Sequence, residues 1–102
     1  MQERFRLSPV QAEAIAAAIA DTPGVHSLSP GTFGEVALLF PGRKVPGLKF
    51  LSPKDDSALR AEIVVDYQAA PALKDLAAEI RRRALVTCPE LTRVDVVFAD
   101  AA

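Results

Sequence analysis

The sequence predicts an α+β fold, a single mostly antiparallel sheet of about five strands with two helices packed on one face. Three observations predict it. Two stretches, Ala12–Ile19 and Leu73–Ala84, repeat apolar residues at helical spacing. Between and after them, short runs alternate with period two, as half-buried strands do. Each helix has one apolar stripe and the main strands have one strongly apolar face, so both helices must cover the same side of the sheet.

Taken in order, Phe5 and Leu7 alternate with Arg4 and Arg6, which predicts a short first strand. Ser8-Pro9-Val10-Gln11 then starts a helix: Ser8 at the N-cap, Pro9 at the first helical position, Gln11 completing a capping box. Ala12, Ile15, Ala16 and Ile19 form its apolar face, and Thr22-Pro23-Gly24 stops it. Val25–Leu28 reads as a strand, broken by Pro30-Gly31. Val36, Leu38 and Phe40 alternate up to Pro41-Gly42, a pair suited to the centre of a type II turn. Val45–Leu51 is the expected return strand, with Pro46 and Gly47 marking an edge or a bulge. A loop over Ser52–Ser57 leads to the clearest strand, where Leu59, Ala61, Ile63, Val65 and Tyr67 face one way. Pro71 opens the second helix, whose stripe is Leu73, Leu76, Ala77, Ile80 and Ala84. Glu79 is placed to pair with Arg83, and Arg81, Arg82 and Arg83 are expected in the last turns. Val94, Val96 and Phe98 form a last strand, which the crossover through the helix allows to be parallel to its neighbour.

The 102 residues make one domain, 1–102, and the balance of 25% charged to 50% apolar residues is that of a globular chain. A net charge of −1 gives no overall field towards nucleic acid or an anionic membrane. Met1–Arg6 carries charges of both signs and no apolar core, unlike a secretory signal. The longest apolar stretch, Ala14–Ala20, is about a third of a membrane span, so no transmembrane segment is expected. Cys88 is the single cysteine, which excludes an intramolecular disulfide and fits a reducing compartment. The expected location is the cytoplasm.

Catalytic chemistry finds little to work with. His26 and Cys88 are the one imidazole and the one thiol; His26 reads as a solvated strand residue and Cys88 as a small hydrophobe at a helix end. One of each is too few for a structural zinc site. Asp55-Asp56 follows Lys54 and has no third carboxylate nearby in sequence, which fits a solvated hairpin loop. No catalytic, cofactor-binding or metal-ligating residue is therefore expected. Gly31-Thr32-Phe33-Gly34 has the GxxG spacing of KH domains, but it joins two strands where a KH loop joins two helices. Arg81–Arg83 fan over more than half of a helix surface at 3.6 residues per turn, so they make no flat cationic patch by themselves.

Several segments carry a family resemblance when taken in order. Leu7-Ser8-Pro9-Val10 leads into Ile15-Ala16-Ala17-Ala18 and closes on Thr22-Pro23-Gly24-Val25. Glu62-Ile63-Val64-Val65-Asp66-Tyr67 precedes Pro71 and a helix with Leu76-Ala77 and Ile80, and Leu91–Phe98 forms the ending. Together they resemble the alkaline-shock-protein family of Gram-positive bacteria, the general envelope-stress-response proteins. The middle, Gly34–Ala37 through Pro41–Gly47, is similar to actinobacterial members. The resemblance implies a small cytoplasmic protein linked to envelope homeostasis. It also implies protein partners, a membrane-embedded one in some members, self-association in others, and no catalytic residues to carry over.

The leading expectation is thus a non-enzymatic interaction or scaffold protein without a cofactor, held at most peripherally to the inner membrane face through a partner. The alternative is a small KH-like nucleic-acid-binding module. Leu85 and Val86 lie off the helical stripe, beside Ala78 and Arg82. If the helix continues through them, Leu85 and Val86 point to its solvent flank, and these four residues, with the exposed edge of the sheet, form a self-association or partner site. If it ends near Ala84, both apolar residues fold inward.

Overall fold

The computed structural model of the chain describes residues 4–102. Helix α1 (Pro9–Ala20) begins with the expected capping box: Ser8 Oγ accepts from the Gln11 amide at 3.1 Å and Gln11 Oε1 accepts from the Ser8 amide at 3.0 Å. Its buried residues are Ala12, Ile15 and Ile19. The strand expected at Phe5–Leu7 is not formed. Pro9 commits the chain to a helix within two residues of Leu7, leaving no length for a ladder. Instead the Leu7 amide donates to Asp56 Oδ2 at 2.8 Å and its side chain enters the core.

Six strands follow, four in a main sheet and two in a separate ladder. They are β1 (Val25–Leu28), β2 (Ala37–Phe40), β3 (Arg43–Pro46), β4 (Leu48–Ser52), β5 (Asp55–Val65) and, after α2 (Leu73–Thr87), β6 (Arg93–Ala101). The class and the placing of both helices on one face hold, and antiparallel pairs predominate. β5 is the central strand. β6 runs parallel to it from Ala58 to Val65 along one edge. The other edge is shared: β4 pairs with Asp55–Ala61 and β1 with Ile63–Val65, both antiparallel.

The return strand expected over Val45–Leu51 is two strands. β3 pairs with β2 across the turn at Pro41-Gly42, then the chain turns at Gly47 and β4 joins the main sheet. Gly47 has φ +89°, donates its amide to Val36 O at 2.8 Å and accepts from the Glu62 amide at 2.9 Å. It thereby ties the small ladder to the large one. A Cβ on Gly47 would collide with the Leu28 side chain, where the ends of β1 and β4 meet. The loop expected over Ser52–Ser57 shrinks to a tight turn, with Ser52 already paired to Asp55.

Leu59, Ala61, Ile63 and Val65 of β5 face the helices and are buried together with Ile15, Ile19, Leu76 and Ile80. Tyr67 does not continue this face. β5 ends at Val65, and Asp66 Oδ1 accepts from the Gln68 and Ala69 amides, turning the chain and leaving Tyr67 79% exposed. Leu73, expected in the helical stripe, is the first residue of α2 and half exposed, because the packed turns begin at Leu76.

Ile80 is fully buried at the middle of that stripe. Ile80→Ala should cost about 2–5 kcal/mol, read as a lowered urea midpoint with an unchanged slope. Gly47→Ala should cost about 2–4 kcal/mol, from the left-handed backbone and the overpacking against Leu28 together. The same midpoint measures it, and a neutral result would show that the corner relaxes.

Candidate interaction surface

The groups that could carry chemistry are engaged in local structure. His26 is exposed on β1, its Nδ1 3.4 Å from the neighbouring Ser27 Oγ, and the ring has no other hydrogen bond among the described residues. Cys88 is buried at the C-cap of α2, its amide donating to Ala84 O at 2.9 Å. Burial, with the nearby Glu90 carboxylate, pushes its thiol above the ordinary range, the opposite of what activates a nucleophile. Asp55 accepts from the Ser57 hydroxyl and amide, which holds its carboxyl below its usual range, while Asp56 anchors Leu7.

Both features behind a nucleic-acid reading are partly engaged within the chain. In the Gly31–Gly34 loop, Glu35 Oε2 accepts from the Phe33 amide at 2.8 Å. Its own amide and that of Phe33 hold this carboxyl below its usual range, so an acidic side chain occupies the place a phosphate would take. The arginine run points in three directions. Arg81 Nε donates to Val94 O at 3.1 Å on β6, and Arg83 reaches Asp21 O at the end of α1. Arg82 and Arg83 both bind Glu79, at 2.6 and 2.9 Å. These arginines lie in the last two turns, as expected, but not in the final one: α2 runs on to Thr87, and its last turn has no basic residue. They act on Glu79 and on neighbouring elements.

That length decides where Leu85 and Val86 lie, on the solvent flank of the helix rather than folded inward. Both lie within α2, 41% and 68% exposed, on a flank with the exposed Ala78 and Arg82. The four residues are thus brought together on one side of a continuous helix, as 3.6 residues per turn requires.

A second apolar feature was missed in the sequence. Val65, Tyr67, Ala70, Pro71, Leu73, Phe98 and the end of β6 enclose an open groove of about 410 Å³ at the start of α2. Asp66, a turn-forming residue directly after the apolar run, was the signal that Tyr67 leaves the strand. No helix among the described residues is long and apolar enough to cross a membrane. No protein-family model, curated protein or solved structure matches this chain.

The Glu79 cluster gives this flank a pH signature. Hydrogen bonds from Arg82 and then Arg83 lower the Glu79 carboxyl from its model-compound 4.5 to about 2. A folded-state pKa below the unfolded one stabilises fully above the unfolded value and is lost as pH falls towards the folded one. Glu79→Gln should therefore flatten the pH dependence of stability between about 4.5 and 2. Asp55 and Asp95, also lowered, keep part of the slope. Thermal midpoints measured across that range test it, and equal slopes in both proteins would contradict it.

Proposed function

We propose that this chain is a non-enzymatic interaction protein of the bacterial cytoplasm, linked to envelope homeostasis, with the outer flank of α2 as its contact surface. The observation that carries the reading is the exposure of Leu85 and Val86 on a helix that runs through them to Thr87. Apolar side chains grouped on one exposed flank mark a contact surface more often than ones scattered singly. Arg82 at the rim supplies a directional polar contact. The link to the envelope rests on the resemblance of the three segments Leu7–Val25, Glu62–Ile80 and Leu91–Phe98 to the alkaline-shock proteins. A partner embedded in the membrane would place the chain at the inner membrane face without any span of its own.

The engagement of Glu35 with its loop, and of Glu79 with Arg82 and Arg83, favours a protein partner over nucleic acid. Cationic groups already neutralised by the chain release few counterions on binding a phosphate backbone.

Leu85→Lys should abolish association, both self-association in analytical ultracentrifugation and capture of partner protein from native-cell extract. Circular dichroism and the thermal midpoint should stay nearly unchanged, because the side chain lies off the packed stripe. Association that survives the substitution, or a variant that unfolds, would remove this surface from the account.

A further inference from the structure

The open edge of the main sheet lies beside the same flank of α2. β6 is bonded to β5 on one side, and among the described residues no strand pairs with its other side. Arg81 reaches from α2 to the Val94 carbonyl, and Leu85 stands one helical turn beyond Arg81. The helix flank and the strand edge thus make one surface, which ends at the groove formed by Tyr67, Leu73 and Phe98.

We infer that this surface binds a second copy of the chain, with the two β6 strands pairing antiparallel about a twofold axis at Val96, so that the two sheets become one. The inference rests on the reading of α2 as a contact surface and names its occupant. Charge placement selects both the occupant and the register. In the ladder with β5, Val96 lies opposite Ala61, and three steps one way reach Arg93 opposite Ala58. Three steps the other way reach Asp100 opposite Val64, because Ala99 is an extra residue between Phe98 and Asp100. About an axis at Val96, Arg93 of each copy therefore faces Asp100 of the other. Asp95 faces Val97, and Val94 faces Phe98.

Neighbouring registers are worse. An axis at Val97 sets Asp95 against Asp100, and an axis at Asp95 sets that carboxylate against its own image. Like charges directly opposite destabilise a strand pair. A twofold contact makes use of this spacing, since it sets positions equally far from the axis residue opposite each other. Arg93 already holds Asp95 at 2.9 Å, and its five donors can bind a second carboxylate. Among the described residues no cation pairs with Asp100, which is exposed.

Sedimentation of the full chain tests this with two exposed substitutions. Wild type should dimerise. Arg93→Asp and Asp100→Arg each place like charges at both ends of the paired strands and should weaken dimerisation about tenfold or more. Mixed in equal amounts, the two variants face each other with opposite charges throughout, and the dimer should return. A wild type that stays monomeric overturns the inference, as does a mixture that associates no better than its components. Self-association lost with Leu85→Lys but untouched by both charge variants would also overturn it, while leaving the helix flank as the contact surface. Circular dichroism confirms that each variant is folded.

Discussion

The amide of Glu62 donates to Gly47 and its carbonyl accepts from Ser29, so one residue in the middle of β5 joins two different strands. Along one edge of β5, β4 ends and β1 begins at this point, and neither could extend without colliding with the other. The hand-over needs a corner with no side chain and a left-handed backbone, which Gly47 provides. Pro46 just before it ends β3, and a residue lacking an amide donor is tolerated at the end of an edge ladder. The β2–β3 ladder is thereby set off the main sheet, where Leu38 and Val45 close the core. Most of the fold's irregularity is collected at this one joint.

Crowding one edge of β5 leaves the other to β6 alone. β6 is parallel because α2 carries the chain back across the sheet before it. α2 is held by burial of Leu76, Ala77, Ile80 and Ala84, each large apolar group contributing about 1.5–3 kcal/mol. The Glu79–Arg82–Arg83 cluster lies at the surface, where water and salt screen ion pairs, and contributes little. It does not hold the helix in place. Its effect is to hold two guanidinium groups on the helix's own carboxylate, which halves their charge beside the apolar flank of Leu85 and Val86.

Much of this was legible in the sequence, and the failures share a cause. The capping box at Ser8 and Gln11, the stripe of α2 and the alternation of β5 are local patterns, and the structure follows them. The strand at Phe5–Leu7, the unbroken return strand and the inward Tyr67 were extrapolations of a pattern past a residue that ends it. Pro9, Gly47 and Asp66 are those residues, and each acts through its own backbone or cap chemistry. The shared edge of β5 could not be read at all, because period-two alternation tells which face a residue takes but not which strand lies beside it. Ala78, Arg82, Leu85 and Val86 were legible as a group only up to the length of the helix, which depends on packing around Ala84 and Cys88 rather than on propensity.

An open strand of nine residues is a hazard that folded chains blunt with lysine, proline or a short edge, and β6 has none of these. Its charges are of both signs, with Arg93 and Asp95 paired across 2.9 Å, so they repel some incoming registers and not every strand. The bulge at Ala99 has the form of a guard, because bulges twist edges away. Yet if Ala99 were paired regularly instead of bulged, Asp100 would fall one step further from Val96 and on the opposite face from Arg93. The irregularity that weakens the edge for an arbitrary strand is thus the one that brings the two charges into register for a copy of the same strand. Selectivity of this kind, obtained by making wrong registers repulsive, separates a specific contact from indiscriminate edge pairing. It ties the unpaired side of β6 to the apolar flank of α2 as parts of the one proposed surface.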